Sequence, residues 1–287
     1  MFMRAYEILE PAKRTTSVVF ASPHSGRNYP WTFKRRSVLN ELALRSSEDA
    51  FVDLLFDSAP KCGAVFLTAT APRAYLDLNR AEEELDPALI EGASRNIINP
   101  RIASGLGVIP RVVANSRAIY RGKLSMSEVK DRIETIWRPY HAALEGVLQD
   151  NLRQFGKAIL IDCHSMPHEA ISMRNKSVRY TPEVVLGDRY GAAAGEELMD
   201  RVEQIFQHAG LQVARNTPFA GAYVSQHYGR PHKRQHAIQI EIDRALYLNE
   251  EKIEPNENFG DFRQLMRRVT EEIAEMGRGA SVPLAAE

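Results

Sequence analysis

Six short apolar runs constrain how this chain can fold more than any other feature: Ser17–Ala21, Ala64–Thr68, Ala158–Ile161, Val184–Leu186, Leu211–Ala214 and Ala237–Ile242. Most do not alternate with polar residues, which is how a strand reads when both of its faces are covered. Helical patterns separate them, at Leu39–Ser58, from Ser125 onward, at Ala192–Ala209 and at Phe262–Met276. Strands alternating with helices predict an α/β fold: a mixed, mostly parallel sheet with helices on both faces. In the long helix, Ser125 or Ser127 offers an N-cap with Glu128 as capping-box partner, Pro139 kinks or divides it, and Gly156 ends it. A length of 287 residues suits a single domain, residues 1–287, with 278–287 as a frayed tail. The stretch from Ala81 to Arg117 is rich in Gly, Pro, Asn and Ser without a period, as a covering or binding loop would be.

Charge narrows the function. Lys plus Arg and Asp plus Glu both number 37, a balance that argues against a nucleic-acid partner. No apolar stretch approaches the roughly 20 residues of a membrane helix, and MFMRAYEILEPAKR has no apolar core of a signal peptide. Cys62 and Cys163 lie in or beside apolar runs and suggest no disulfide framework. A cytoplasmic protein handling a small molecule is the expectation; oligomeric state is not readable.

Two of the runs end alike. Ser17–Ala21 leads into PHSG, with His24 and Ser25, and Ala158–Ile161 leads into DCHSMP, with His164 and Ser165. Ligands of open α/β sheets gather beyond the carboxyl ends of the strands, so both imidazoles are placed to reach one crevice. Two imidazoles, one carboxylate and an open position make a common hydrolytic zinc site. SSEDAFVDLLF offers the carboxylate: Asp49 is preferred, and Glu48 is the alternative. Taken singly, each histidine also fits a hydrogen-bonded loop residue, and Asp49 a charge favourable to a helix N-terminus.

In HAIQIEIDR, Gln239, Glu241 and Asp243 alternate with isoleucines, so the acids share one strand face. Either this is a solvent-facing edge strand, or Glu241 faces the site as a general base for a metal-activated water. PRAYLDLNR carries Arg73, Asn79 and Arg80; an arginine fork with an adjacent amide suits a carboxylate, although Arg80 can equally pair with Asp77 or Glu82–Glu84. The segment NTPFAGAYVSQHYGRP, with His227 and Arg230, reads either as a pocket lining or as a loop packed by its own aromatics.

Together, PHSGRNYP, SEDAFVDLLF, PRAYLDLNR, DCHSMP, LGDRYG and NTPFAGAYVSQHYGRP…HAIQIEIDRALY closely resemble the N-formylglutamate amidohydrolase (N-formylglutamate deformylase) family, in order across residues 23–247. The resemblance implies a zinc-exopeptidase-like (phosphorylase/hydrolase-like) α/β fold and a zinc cofactor. It also implies hydrolysis of N-formyl-L-glutamate to formate and L-glutamate, the last step of one histidine-degradation route. Carried over, His24, Asp49 and His164 resemble the metal ligands and Glu241 the general base. Asn79 and Arg80 resemble the pair that grips the substrate α-carboxylate, and Arg73 a residue for carbonyl polarisation or the second carboxylate. One departure stands out: relatives with a His-x-x-Glu ligand motif have glutamate where this chain has Arg27, which keeps both Glu48 and Asp49 open. His227 and Arg230 receive no role. Two further readings are a related amidohydrolase acting on another N-acyl or N-formimidoyl amino acid, and a non-catalytic anion-binding homologue.

Overall fold

The computed structural model describes residues 4–94, 99–172 and 181–278. Its strands are β1 (Tyr6–Leu9), β2 (Val18–Ser22), β3 (Val65–Ala69), the paired two-residue strands β4 (Val112–Val113) and β5 (Arg117–Ala118), β6 (Ala158–Met166), β7 (Val184–Gly187), β8 (Val213–Arg215), β9 (Gln235–Asp243), and a second small pair, β10 (Leu248–Asn249) and β11 (Glu254–Pro255). Seven of them form one sheet in the order β1-β3-β2-β6-β9-β7-β8. β3, β2, β6 and β9 are mutually parallel, β1 and β7 each pair antiparallel with a neighbour, and β8 runs parallel to β7.

The helices are α1 (Trp31–Arg36), α2 (Glu41–Arg45), α3 (Val52–Leu55), α4 (Pro100–Ala103), α5 (Met126–Arg132), α6 (Arg138–Phe155), α7 (His168–Ser172), α8 (Glu196–His208), α9 (Tyr223–Tyr228) and α10 (Phe259–Met276). They cover both faces of the sheet. Val19, Ala21, Leu160 and Ala237 pack with Phe33 of α1, Val129 of α5, Leu144 and Leu148 of α6 and Tyr228 of α9. The alternate positions Val18, Phe20, Ile161, Ile238 and Ile240 pack with Leu55 of α3, Val202 and Phe206 of α8 and Val269 of α10. Period-two alternation thus sends neighbouring residues of each central strand into separate apolar clusters, which is why the runs read as unbroken hydrophobic stretches.

Several elements differ from the sequence expectation. The helix expected over Leu39–Ser58 is broken into α2 and α3, because Phe51 takes a left-handed backbone (φ 64) between them. β6 continues past Ile161 to Met166, since its pairing with β9 runs unbroken through Met166↔Asp243, and Asp162 and His164 share one of its faces. The strand holding Glu241 is central, between β6 and β7, which removes the edge-strand reading. β1, α1, α7 and α9 were not foreseen, and the long helix is interrupted by a π-turn over Ile133–Trp137 ahead of Pro139. Ser125 caps that helix through the Glu128 amide, and Gly156 (φ 70) ends it as expected. The tail expected to fray lies, from residue 279, outside the described residues.

The crossover from β3 to β6 returns the chain past β2, so β2 and β6 are neighbours whose connections leave in opposite directions. Such a switch point opens a crevice at the carboxyl ends of its strands. His24 lies two residues beyond β2, and His164 lies near the end of β6.

Candidate active site

Backbone contacts fix the loop after β2. Gly26 passes so close to the turn after β3 that a Cβ there would sit 2.2 Å from the Ala71 carbonyl oxygen, so no other residue fits without moving backbone. Asn28 N–H donates to Thr70 O at 3.0 Å and holds the loop to that turn. Opposite, the break between α2 and α3 brings Asp49 beneath His24, its N–H donating to His24 O at 3.0 Å.

His24, Asp49 and His164 converge, with potential ligand atoms all within 4.8 Å of one another. Their exposures are 1%, 1% and 2%, and the two rings meet edge to face at 4.7 Å between centroids. Asp49 Oδ2 is 2.8 Å from His164 Nδ1 and 3.3 Å from His24 Nδ1. Each ring's other nitrogen faces an acid: His24 Nε2 lies 2.7 Å from Asp77 Oδ1, and His164 Nε2 lies 3.0 Å from Asp162 Oδ2. Glu48 turns away, accepting from Tyr29 Oη at 2.6 Å and pairing with Arg45 at 3.2 Å. Of the two candidate carboxylates, Asp49 is the one brought to the histidines.

This arrangement fits a divalent cation on three counts. With the His24 Nε2 proton directed at Asp77, the His24 Nδ1 lone pair points toward an Asp49 oxygen that is itself an acceptor, and His164 Nδ1 meets that same oxygen. His24 Nδ1 is buried without a hydrogen-bond partner, and Asp162, fully buried, has no donor aligned on either oxygen. Acid–imidazole pairs of this kind orient metal-binding histidines and raise their basicity. Without a metal, the excess of acceptors draws a proton. Burial opposes charge on His164, but Asp162 and Asp49 outweigh it and raise its pKa well above the ordinary value. Burial likewise opposes ionisation of Asp49, but His164 and His24 hold its carboxyl well below the usual range.

Glu241 pairs directly across the β6–β9 ladder with His164. Gln239 Nε2 donates to its Oε1 at 2.9 Å. Burial, reinforced by the nearby Asp49 charge, lifts its pKa to about 7 against the pull of His164, Arg73 and Arg244. It lines a cavity of about 500 Å³ with His24, His164, Arg73, Arg80 and Arg244.

The PRAYLDLNR segment forms one wall. Arg73 Nε donates to Asp77 Oδ2 at 3.0 Å, and its Nη1 lies 4.0 Å from Asp49 Oδ1. Arg80 Nε donates to Leu106 O at 2.9 Å and its Nη1 to Asn79 O at 2.7 Å. Arg80 is 6% exposed and touches no carboxylate among the described residues, and burial lowers its pKa. A buried guanidinium pinned by carbonyls and facing a cavity is a ready receptor for an anion. Asn79 Oδ1 accepts from Val224 N at 2.8 Å, and its Nδ2 lies 3.3 Å from His164 Nε2, so its amide braces the site. Helix residues hold the wall in place: Trp137 Nε1, at the π-turn, donates to Arg80 O at 2.8 Å, and His141 Nε2 donates to Leu78 O at 3.0 Å.

The site residues expected from sequence therefore all come together, while His227 stacks on Tyr223 away from the cavity and Arg230 lies with it. Sequence reasoning missed Asp77, Asp162 and Arg244. Strand periodicity had a signal for one of them: Asp162 is two residues before His164, on the same face of β6.

Acids, imidazoles and guanidinium groups gathered at the carboxyl ends of the central strands define an α/β protein of the enzyme class, with its site at the switch point of the sheet. Its membership is narrower: the chain belongs to the N-formylglutamate amidohydrolase family, whose model matches residues 16–248. A crystal structure of N-formylglutamate amidohydrolase from Ralstonia eutropha JMP134 is similar at 36% identity and a TM-score of 0.89, covering 96% of this chain and 99% of that one. The N-formylglutamate deformylase of Pseudomonas putida is 28% identical over 236 residues, 81% of this chain and 82% of that protein. That of Pseudomonas aeruginosa is 27% identical over 272 residues, 94% and 95% of the two chains.

Proposed function

We propose that this chain, organised as one domain around its sheet, is a zinc-dependent deformylase. It hydrolyses N-formyl-L-glutamate to formate and L-glutamate, products that complete one route of histidine degradation. The observation that carries this reading is the convergence of His24, Asp49 and His164 beside Glu241 on a cavity lined by arginines. His24 Nδ1, His164 Nδ1 and Asp49 Oδ2 would hold the zinc. When bound, such an ion supplies Lewis-acid chemistry, acidifying water and polarising the amide carbonyl.

The protein's own groups do the rest. Glu241, with a pKa near 7, takes a proton from the attacking water and passes it to the departing nitrogen. Arg73 offers a cation to the negative charge that grows on the formyl oxygen. Arg80 receives a substrate carboxylate in its fork, with Asn79 bracing it, and so fixes the scissile carbon relative to Glu241. The test is a panel of N-acyl amino acids assayed with zinc-loaded protein. N-formylglutamate is expected to be the preferred substrate, with N-acetylglutamate at least tenfold lower in kcat/KM. Equal kcat/KM for the two, or no hydrolysis of either, contradicts the reading.

A further inference from the structure

Arg244 follows β9, three residues after Glu241, and has no role in the chemistry above. It is 6% exposed, and its guanidinium touches two segments beyond its own. Nη2 donates to Asp49 Oδ1 at 3.0 Å, in the break between α2 and α3. Nε donates to Ser165 Oγ at 3.1 Å, and Nη2 also reaches Ser165 O at 3.4 Å, on the residue after His164. Nη1 approaches Ser46 O at 3.5 Å, three residues before Asp49. One rigid fork thus joins the segment of one candidate ligand, the strand of another and the strand of the candidate base.

The division of Asp49 is the telling feature. Oδ2 faces the two imidazoles, whereas Oδ1 is held by Arg244, with Arg73 4.0 Å away. We infer that Arg244 is a positioning residue for the metal centre: by occupying Oδ1 it leaves Asp49 a single free oxygen, aimed between His24 and His164. This rests on the zinc reading of the site. A lysine at this position keeps the charge but cannot bridge Asp49 and Ser165 together, because an ammonium has no planar fork. Removal of partners that orient metal ligands typically weakens binding about 10- to 100-fold.

The experiment compares wild type, Arg244→Lys, Arg244→Ala and Ser165→Ala. Zinc affinity is read by competition with a chromophoric chelator, and ligand geometry by the visible spectrum of the cobalt-substituted protein. Arg244→Lys and Arg244→Ala are expected to bind zinc about 10- to 100-fold more weakly, with an altered cobalt spectrum. Ser165→Ala is expected to show a smaller change in the same direction. At saturating zinc, KM for N-formylglutamate should rise by a smaller factor than zinc affinity falls, as for a residue that acts chiefly through the ligand. Should Arg244→Ala fail to fold, Arg244→Lys and Ser165→Ala carry the test. Unchanged zinc affinity and cobalt spectrum in Arg244→Lys, with KM raised tenfold or more, would overturn the inference and make Arg244 a substrate contact. If wild type itself takes up no zinc, the metal reading falls and this inference with it; if wild type binds zinc and the variants bind it equally, this inference alone falls.

Discussion

Lowering the pH from 7 to 5 should weaken this protein through one buried ring, His141 in α6. Its Nε2 donates to Leu78 O at 3.0 Å, and its Nδ1 accepts from the Tyr228 hydroxyl at 2.9 Å. Both nitrogens are satisfied by the neutral ring, and a second proton would meet a hydroxyl already donating. Burial, with a smaller push from His227, lowers its pKa from 6.5 to about 3 against the pull of the Leu78 carbonyl. The unfolded ring binds its proton near pH 6.5 and the folded one only near pH 3. Between those limits the unfolded state holds more protons. Stability is therefore fully present above about pH 6.5 and is lost as pH falls toward 3. For one group with these values the loss between pH 7 and pH 5 is about 2 kcal/mol. The assay is urea unfolding at pH 7, 6 and 5 of wild type and His141→Gln, whose amide offers one donor and one acceptor but does not titrate. Other titrating groups are common to both proteins and cancel in the comparison. The stability advantage of wild type over the variant should shrink by about 2 kcal/mol across this range; parallel pH profiles would refute the buried neutral ring.

Glu241→Gln should keep zinc and lose about 10²- to 10⁴-fold in kcat, because the amide keeps the shape but takes no proton. Turnover near wild type in a zinc-binding assay pair would remove Glu241 as base. Arg80→Lys loses the fork and one charge-assisted bond worth about 1.5–3 kcal/mol, so KM should rise roughly 10- to 100-fold with a smaller fall in kcat; an unchanged KM takes Arg80 out of the substrate site. Gly26→Ala places a methyl 2.2 Å from Ala71 O, with backbone on both sides of the contact. It should cost about 1–3 kcal/mol in thermal unfolding and weaken zinc uptake, since His24 is two residues away. Wild-type behaviour in both measurements would show that the loop has room.

Much of this site could be read from residue order because its parts are local. PHSG and DCHSMP follow apolar runs, so His24 and His164 announce themselves beside recognisable elements, while SSED ahead of an apolar helical pattern narrows the carboxylate to Glu48 or Asp49, and only the fold separates those two. Glu241 was legible because alternation with isoleucines sets its face. What tells against an edge strand is the pairing of β9 with both β6 and β7, which no local pattern encodes. Asp77 is separated from His24 by 53 residues, and Arg244 from Asp49 by 195, so both partnerships exist only after folding. Local conformation hid other features. Phe51 is a poor candidate for a left-handed turn, yet its turn breaks the expected helix and sets Asp49 under His24. β1 alternates between half-buried and exposed positions at the sheet edge, and therefore lacks the apolar density that marked the central strands.

The proposed chemistry needs a cation held where His24, Asp49 and His164 meet. The most direct measurement is anomalous diffraction at the zinc absorption edge from crystals of the protein purified with zinc, joined to metal analysis of the same preparation. The prediction is one zinc per chain, ligated by Nδ1 of both histidines and an Asp49 carboxylate oxygen. A preparation that hydrolyses N-formylglutamate with less than a tenth of an equivalent of metal, or that binds its zinc elsewhere, would contradict it.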